Sequence, residues 1–101
     1  GSSVDVEVLS SGNWLLICND TMDGRHKLTA YLSEDEGRSW KWSRPLEQTD
    51  SSMGSFSYPA IVQTKDGNAH VTYSYNREGT DGSSIKHAWF TENWVKHLSN
   101  P

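Results

Sequence analysis

The sequence predicts an all-β protein made of two successive four-stranded antiparallel sheets. Three observations point there. Apolar residues recur at period two instead of helical spacing, and the short segments that carry them are bounded by Gly, Asn, Asp and Ser. Of the 101 residues, 34% are hydrophobic and 11% aromatic, with five tryptophans. Burial in so polar a chain has to be concentrated in a few large rings, which favours β structure over a helical bundle.

Taken in order, the alternation predicts strands at Val4–Leu9, Trp14–Cys18, Lys27–Ser33 and Trp40–Arg44. Further strands are expected at Tyr58–Thr64, Ala69–Tyr75, Ile85–Phe90 and, briefly, Trp94–Lys96. No helix is predicted. Ser11-Gly12-Asn13 and Lys65-Asp66-Gly67-Asn68 supply the residues that tolerate positive φ, as tight hairpins demand.

A net charge of −4, with Lys and Arg scattered along the chain, argues against a nucleic-acid groove or an anionic membrane surface. The longest apolar run, Trp14 to Cys18, is far too short to span a bilayer, and no charged leader followed by an apolar stretch opens the sequence. Cys18 is the single cysteine, so no internal disulfide forms and the redox compartment stays open. His26, His70, His87 and His97 lack a spacing that gathers metal ligands, and no cofactor is expected.

The eight predicted strands form two repeats, residues 1–48 and 49–101. Ser11-Gly12-Asn13-Trp14 aligns with Asp66-Gly67-Asn68-Ala69, and Lys27-Leu28-Thr29-Ala30-Tyr31 aligns with Ile85-Lys86-His87-Ala88-Trp89. Tandem four-stranded antiparallel units of this length have the form of propeller blades. A closed propeller needs at least four blades of roughly 40–45 residues. Two blades therefore imply an excerpt of a longer propeller, a unit that closes by self-association, or a small β domain of another kind. Three copies would complete a six-bladed ring, since head-to-tail contacts close when the rotation allows.

Ser33-Glu34-Asp35-Glu36-Gly37-Arg38-Ser39-Trp40 fits the pattern Ser-x-Asp-x-Gly-x-x-Trp at each defined position. Physically this is a hairpin whose Asp accepts bonds from its own turn amides, whose Gly takes the positive-φ corner and whose Trp packs beneath the turn. The pattern resembles the Asp-box, or BNR repeat, of sialidases and related propellers. The resemblance runs from about Val4 to Val95, through Gly12-Asn13-Trp14-Leu15-Leu16-Ile17-Cys18-Asn19-Asp20, Phe56-Ser57-Tyr58-Pro59-Ala60-Ile61-Val62-Gln63 and Asp66 to Tyr75. These segments look like the last two blades of a six-bladed sialidase-like propeller.

By that resemblance Arg25, just before the third strand, stands at the position of a carboxylate-binding arginine, and Tyr58 at that of the nucleophile. The chemistry suits a sialylated glycan or related acidic sugar. A guanidinium pairs bidentately with the sugar carboxylate at any working pH, and a neutral phenol approaches an anomeric carbon that would repel an Asp or Glu. The family's general acid, two further arginines and a tyrosine-activating Glu belong to earlier blades. Glu7, Glu34, Glu36, Glu47, Glu78 and Glu92 match none of its catalytic motifs. Parents of this family are often secreted or periplasmic.

Without the resemblance, Arg25 reads as a solvated loop cation, and Tyr58 before Pro59 as a packed strand start. Trp40, Trp42, Trp89 and Trp94 read as core and blade packing, and Asn19-Asp20-Thr21 is a formal glycosylation sequon. Two other classes of function compete with the glycosidase lineage. One is a non-catalytic blade module acting by self-assembly or weak carbohydrate binding; the other is an unrelated β sandwich with a coincidental Asp-box.

Overall fold

The structure is a computed structural model that describes residues 4–19, 27–48, 54–77 and 83–98. Among the described residues seven strands and one helix form: β1 (Val4–Val8), β2 (Trp14–Asn19), β3 (Lys27–Ser33), β4 (Trp42–Gln48), β5 (Gly54–Gln63), β6 (Ala69–Arg77), β7 (Ser83–Phe90) and α1 (Glu92–Leu98). The protein is all-β in class, with a four-stranded sheet ordered β1-β2-β3-β4 and a three-stranded sheet ordered β5-β6-β7, antiparallel throughout.

The first hairpin of each sheet is built in the same way. Leu9 N donates to Asn13 O and Gly12 N to Leu9 O, while Thr64 N donates to Asn68 O and Gly67 N to Thr64 O. Ser11 Oγ and Asp66 Oδ1 then accept from the amides of Asn13 and Asn68. Gly12 and Gly67 sit at φ of 94° and 89°, a region costly for any residue with a Cβ. Sequence repetition is thus also repetition of backbone bonding.

Three expectations about elements need correction. The predicted strand at Trp94–Lys96 is helix α1, so the second unit carries three strands and a helix in place of its fourth strand. Thr91 caps this helix, its Oγ1 accepting from Trp94 N at 3.2 Å, with Glu92 in the first turn and Lys96 and His97 in the last. Phe90, Trp94 and Leu98 recur at helical spacing, a pattern that three residues read at period two conceal. The fourth strand runs over Trp42–Gln48 instead of Trp40–Arg44, and its Pro45 is tolerated because β4 is an edge strand. Finally, β5 begins at Gly54 and β7 at Ser83, each earlier than the apolar alternation suggests.

The core lies between the sheets. Leu15, Ile17, Leu28, Ala30 and Leu32 line one face of the first sheet and are wholly buried. Against them pack Phe56, Ile61, Val71 and Tyr73 of the second sheet, and Val95 of α1. Each fully buried Leu or Ile contributes about 1.5–3 kcal/mol of transfer free energy. β1 lies against β5 at one edge of this interface, and β3 and β4 lie against α1 at the other. Asp5 Oδ2 accepts from Ile61 N at 2.9 Å on the β1–β5 side. On the far side Arg44 lies 3.9 Å from the centroid of the Trp94 ring and donates through Nη1 to Trp94 O.

Candidate functional site

Antiparallel pairing sorts the strand ends into two groups. Asn19, Lys27, Gln48, Gly54, Arg77 and Ser83 share one end, while the Gly12 and Gly67 turns and the Asp-box hairpin occupy the other. Arg25, two positions before Lys27, lies outside the described residues, as do Asp20 and Thr21 of the sequon. Tyr58 lies in β5, and its side chain is likewise outside the described part of the structure.

The backbone around Tyr58 is informative. Ser57 faces Ser74 and Ala60 faces Thr72, so Tyr58 and Pro59 together oppose the single residue Tyr73. Pro59 has no amide hydrogen to give to a ladder, and a bulge accommodates it. Close by, one side chain joins the chain segments on either side of the predicted pair. Asn19 Nδ2 donates to Lys27 O at 3.1 Å and to Phe56 O at 3.2 Å. Lys27 is two residues after Arg25, and Phe56 is two residues before Tyr58. Asn19 Oδ1 is buried and has no hydrogen-bond partner among the described residues.

Beneath this point lies a cluster that the sequence reading did not find. Tyr73 Oη donates to Glu47 Oε2 at 2.7 Å, and Lys86 Nζ forms an ion pair with the same oxygen. Burial, then the Glu47 hydrogen bond and its negative charge, push the Tyr73 phenol well above its ordinary value near 10, so it stays protonated at neutral pH. Phe56 stacks on Tyr75 at 5.1 Å and meets Tyr73 edge-on at 6.0 Å. The three polar groups satisfy one another, with Tyr73 as hydrogen-bond donor and Glu47 as the shared acceptor. Glu47 matches no motif, and only the packing of one sheet on the other brings it to Tyr73.

At the opposite end, the Asp-box closes on itself. Ser33 Oγ donates to Asp35 Oδ1 at 2.7 Å and accepts from Gly37 N at 2.8 Å. Asp35 accepts from Ser39 N at 2.8 Å and from Ser39 Oγ at 2.6 Å. The Ser39 and Ser33 bonds hold the Asp35 carboxyl down at about 2. Gly37 takes φ of 85° as expected, and Glu36 also adopts positive φ, 61°. The nearest ring to Gly37 belongs to Trp14 of β2: a Cβ there would come within 3.0 Å of Trp14 Cζ3, against 3.7 Å for Trp40.

One expectation about the aromatic residues changes, and one pairing of histidines is new. Trp89 is 63% exposed, so it is not core packing. His70 and His87, which sequence spacing leaves apart, stack at 5.0 Å with Nδ1 and Nε2 separated by 2.9 Å, and His87 lies against Trp89. Adjacent strands β6 and β7 bring them together, a juxtaposition visible only once the register is known. Among the described residues no three His, Cys, Asp or Glu side chains gather as metal ligands.

Comparison with curated proteins and with solved structures gave no match. A model of the BNR repeat-like domain matches residues 1–71, which takes in the whole first sheet, the Asp-box and the second sheet as far as Val71. The chain therefore belongs to the BNR repeat-like domain family.

Proposed function

We propose that this chain belongs to a sialidase-like glycoside hydrolase, in which Arg25 binds the carboxylate of an acidic sugar and Tyr58 is the nucleophile. The observation that carries the reading is the Asn19 bridge, which ties the backbone beside Arg25 to the backbone beside Tyr58 at the end of the sheets away from the Asp-box. The bulge at Tyr58-Pro59 supports it further, since bulges re-aim side chains next to active sites.

In the parent reaction the Tyr58 oxygen would bond to the anomeric carbon as the glycosidic C–O bond breaks. The leaving oxygen takes a proton from a general acid, and the phenol proton passes to a carboxylate. Water then cleaves the glycosyl–tyrosine bond, returning the phenol. By family resemblance the general acid and the activating carboxylate come from blades outside this chain. Alone, the chain binds the sugar weakly and does not turn it over.

Binding of N-acetylneuraminic acid, followed by ligand-observed NMR beside a neutral hexose, tests this. The expected result is millimolar affinity for the acidic sugar alone, lost in Arg25→Ala, with no release of fluorophore from a fluorogenic sialoside. Equal binding of both sugars, or undiminished binding by Arg25→Ala, would overturn it.

A further inference from the structure

Each sheet has two faces, and the register shows which faces correspond. With the Gly12 and Gly67 hairpins superposed, the row Val6–Leu16–Tyr31 of the first sheet corresponds to Ile61–Val71–Ala88 of the second. Ile61 and Val71 form the second sheet's half of the internal interface. By the same register, Glu7–Leu15–Leu32 corresponds to Val62–His70–Trp89. Leu15 and Leu32 form the first sheet's half.

The molecule therefore presents, on its two outer sides, a second example of each half of its own interface. On one side Val6 and Val8 are 46% and 59% exposed; on the other Val62, Ile85 and Trp89 are 61%, 72% and 63% exposed. Among the described strand positions the one Asp, Glu, Lys or Arg on either face is Lys27, at the end of β3 away from Val8, although 22% of the chain is charged. Exposed apolar faces of this kind mark association surfaces.

We propose that the chain self-associates head to tail, the Val6/Val8 face of one copy seating on the Val62/Ile85/Trp89 face of the next and repeating the contact that already joins its two sheets. The occupant is a second copy because the chain itself carries the complementary half of each interface. Such a contact is heterologous, and it closes into a ring when its rotation divides a full turn. His70 and His87 stand where the internal interface has Leu15 and Ala30, so the contact between copies is more polar than the one within them.

Sedimentation of the wild-type chain and two variants tests this. Val6→Glu and Trp89→Glu each remove one face, at exposed positions that leave the core intact. The wild type is expected to show concentration-dependent assembly beyond a dimer, and each variant alone to be monomeric. An equimolar mixture is expected to stop at a dimer, since each variant keeps one usable face. Val8→Glu with Ile85→Lys repeats the experiment should either first variant fail to show a folded near-ultraviolet dichroism spectrum. A wild type that stays monomeric at millimolar concentration would overturn the proposal. So would a mixture of folded variants that stays monomeric, or a single variant that still dimerises, which would mean an isologous contact.

Discussion

The side-chain amide of Asn19 crosses from the first sheet to the second and donates to the carbonyl of Phe56 at 3.2 Å. The same nitrogen donates to Lys27 O within its own sheet, so one residue locks the β2–β3 end to the start of β5. Asn19→Ala removes both bonds and leaves two partly buried carbonyls without that donor. The expected loss is about 1–3 kcal/mol of unfolding free energy, measured by urea denaturation. Since Asn19 Nδ2 is the atom a sequon glycan would occupy, and the linked nitrogen keeps a single hydrogen, glycosylation there is expected to cost at least one of the two bonds.

Gly37 and Gly12 both adopt positive φ, yet their surroundings differ. A Cβ on Gly37 meets the Trp14 ring at 3.0 Å, whereas one on Gly12 meets nothing within 4 Å. Gly12→Ala is expected to cost about 1–2 kcal/mol from backbone strain alone. Gly37→Ala adds the displacement of Trp14 and is expected to cost about 1 kcal/mol more, in line with small overpacking penalties. Thermal unfolding of the two variants compares them directly; equal shifts would contradict the ring contact.

Asp35 and Asp66 hold their protons less tightly folded than unfolded, each at about 2 against an ordinary value of 3.8. The causes are the Ser39 and Ser33 bonds for Asp35, and the Thr64 and Asn68 bonds for Asp66. A depressed folded value means the stabilisation is fully present above the unfolded pKa. It is lost as pH falls from about 4 towards 2. Asp35→Asn should flatten the dependence of stability on pH over that window, leaving only the Asp66 share of the two.

Tyr73 titrates in the opposite direction. Its folded value is raised, so the stability it contributes is complete below about pH 10 and is lost as pH rises beyond. Spectrophotometric titration is expected to show one phenol that ionises only with unfolding. In Tyr73→Phe that late-ionising phenol disappears, and stability falls by about 1 kcal/mol, because Glu47 keeps Lys86 as a partner.

Much of this molecule is written locally. Gly12-Asn13 and Gly67-Asn68 mark two hairpins whose positive φ no other residue type supplies as readily, and the alternation of Lys27–Ser33 gives β3 its observed bounds. What could not be read depended on long-range pairing. Glu47 meets Tyr73 only because one sheet packs on the other, His70 meets His87 only through the β6–β7 register, and Trp89 is exposed because its row faces outward. The α1 segment failed for a different reason: Trp94-Val95-Lys96 satisfies period two over three residues, and the cap at Thr91 outweighs it. Of the candidate site, the residue types came from motif order, while the Asn19 bridge between the flanking segments is a product of the fold.

The most direct test of the functional reading is a map of amide chemical-shift changes on titrating the chain with N-acetylneuraminic acid. The account predicts changes centred on Asn19, Lys27 and Phe56, beside Arg25 and Tyr58, with Asp35 and Gly37 of the Asp-box unmoved. Changes centred on the Asp-box end, or the same map from a neutral hexose, would contradict it.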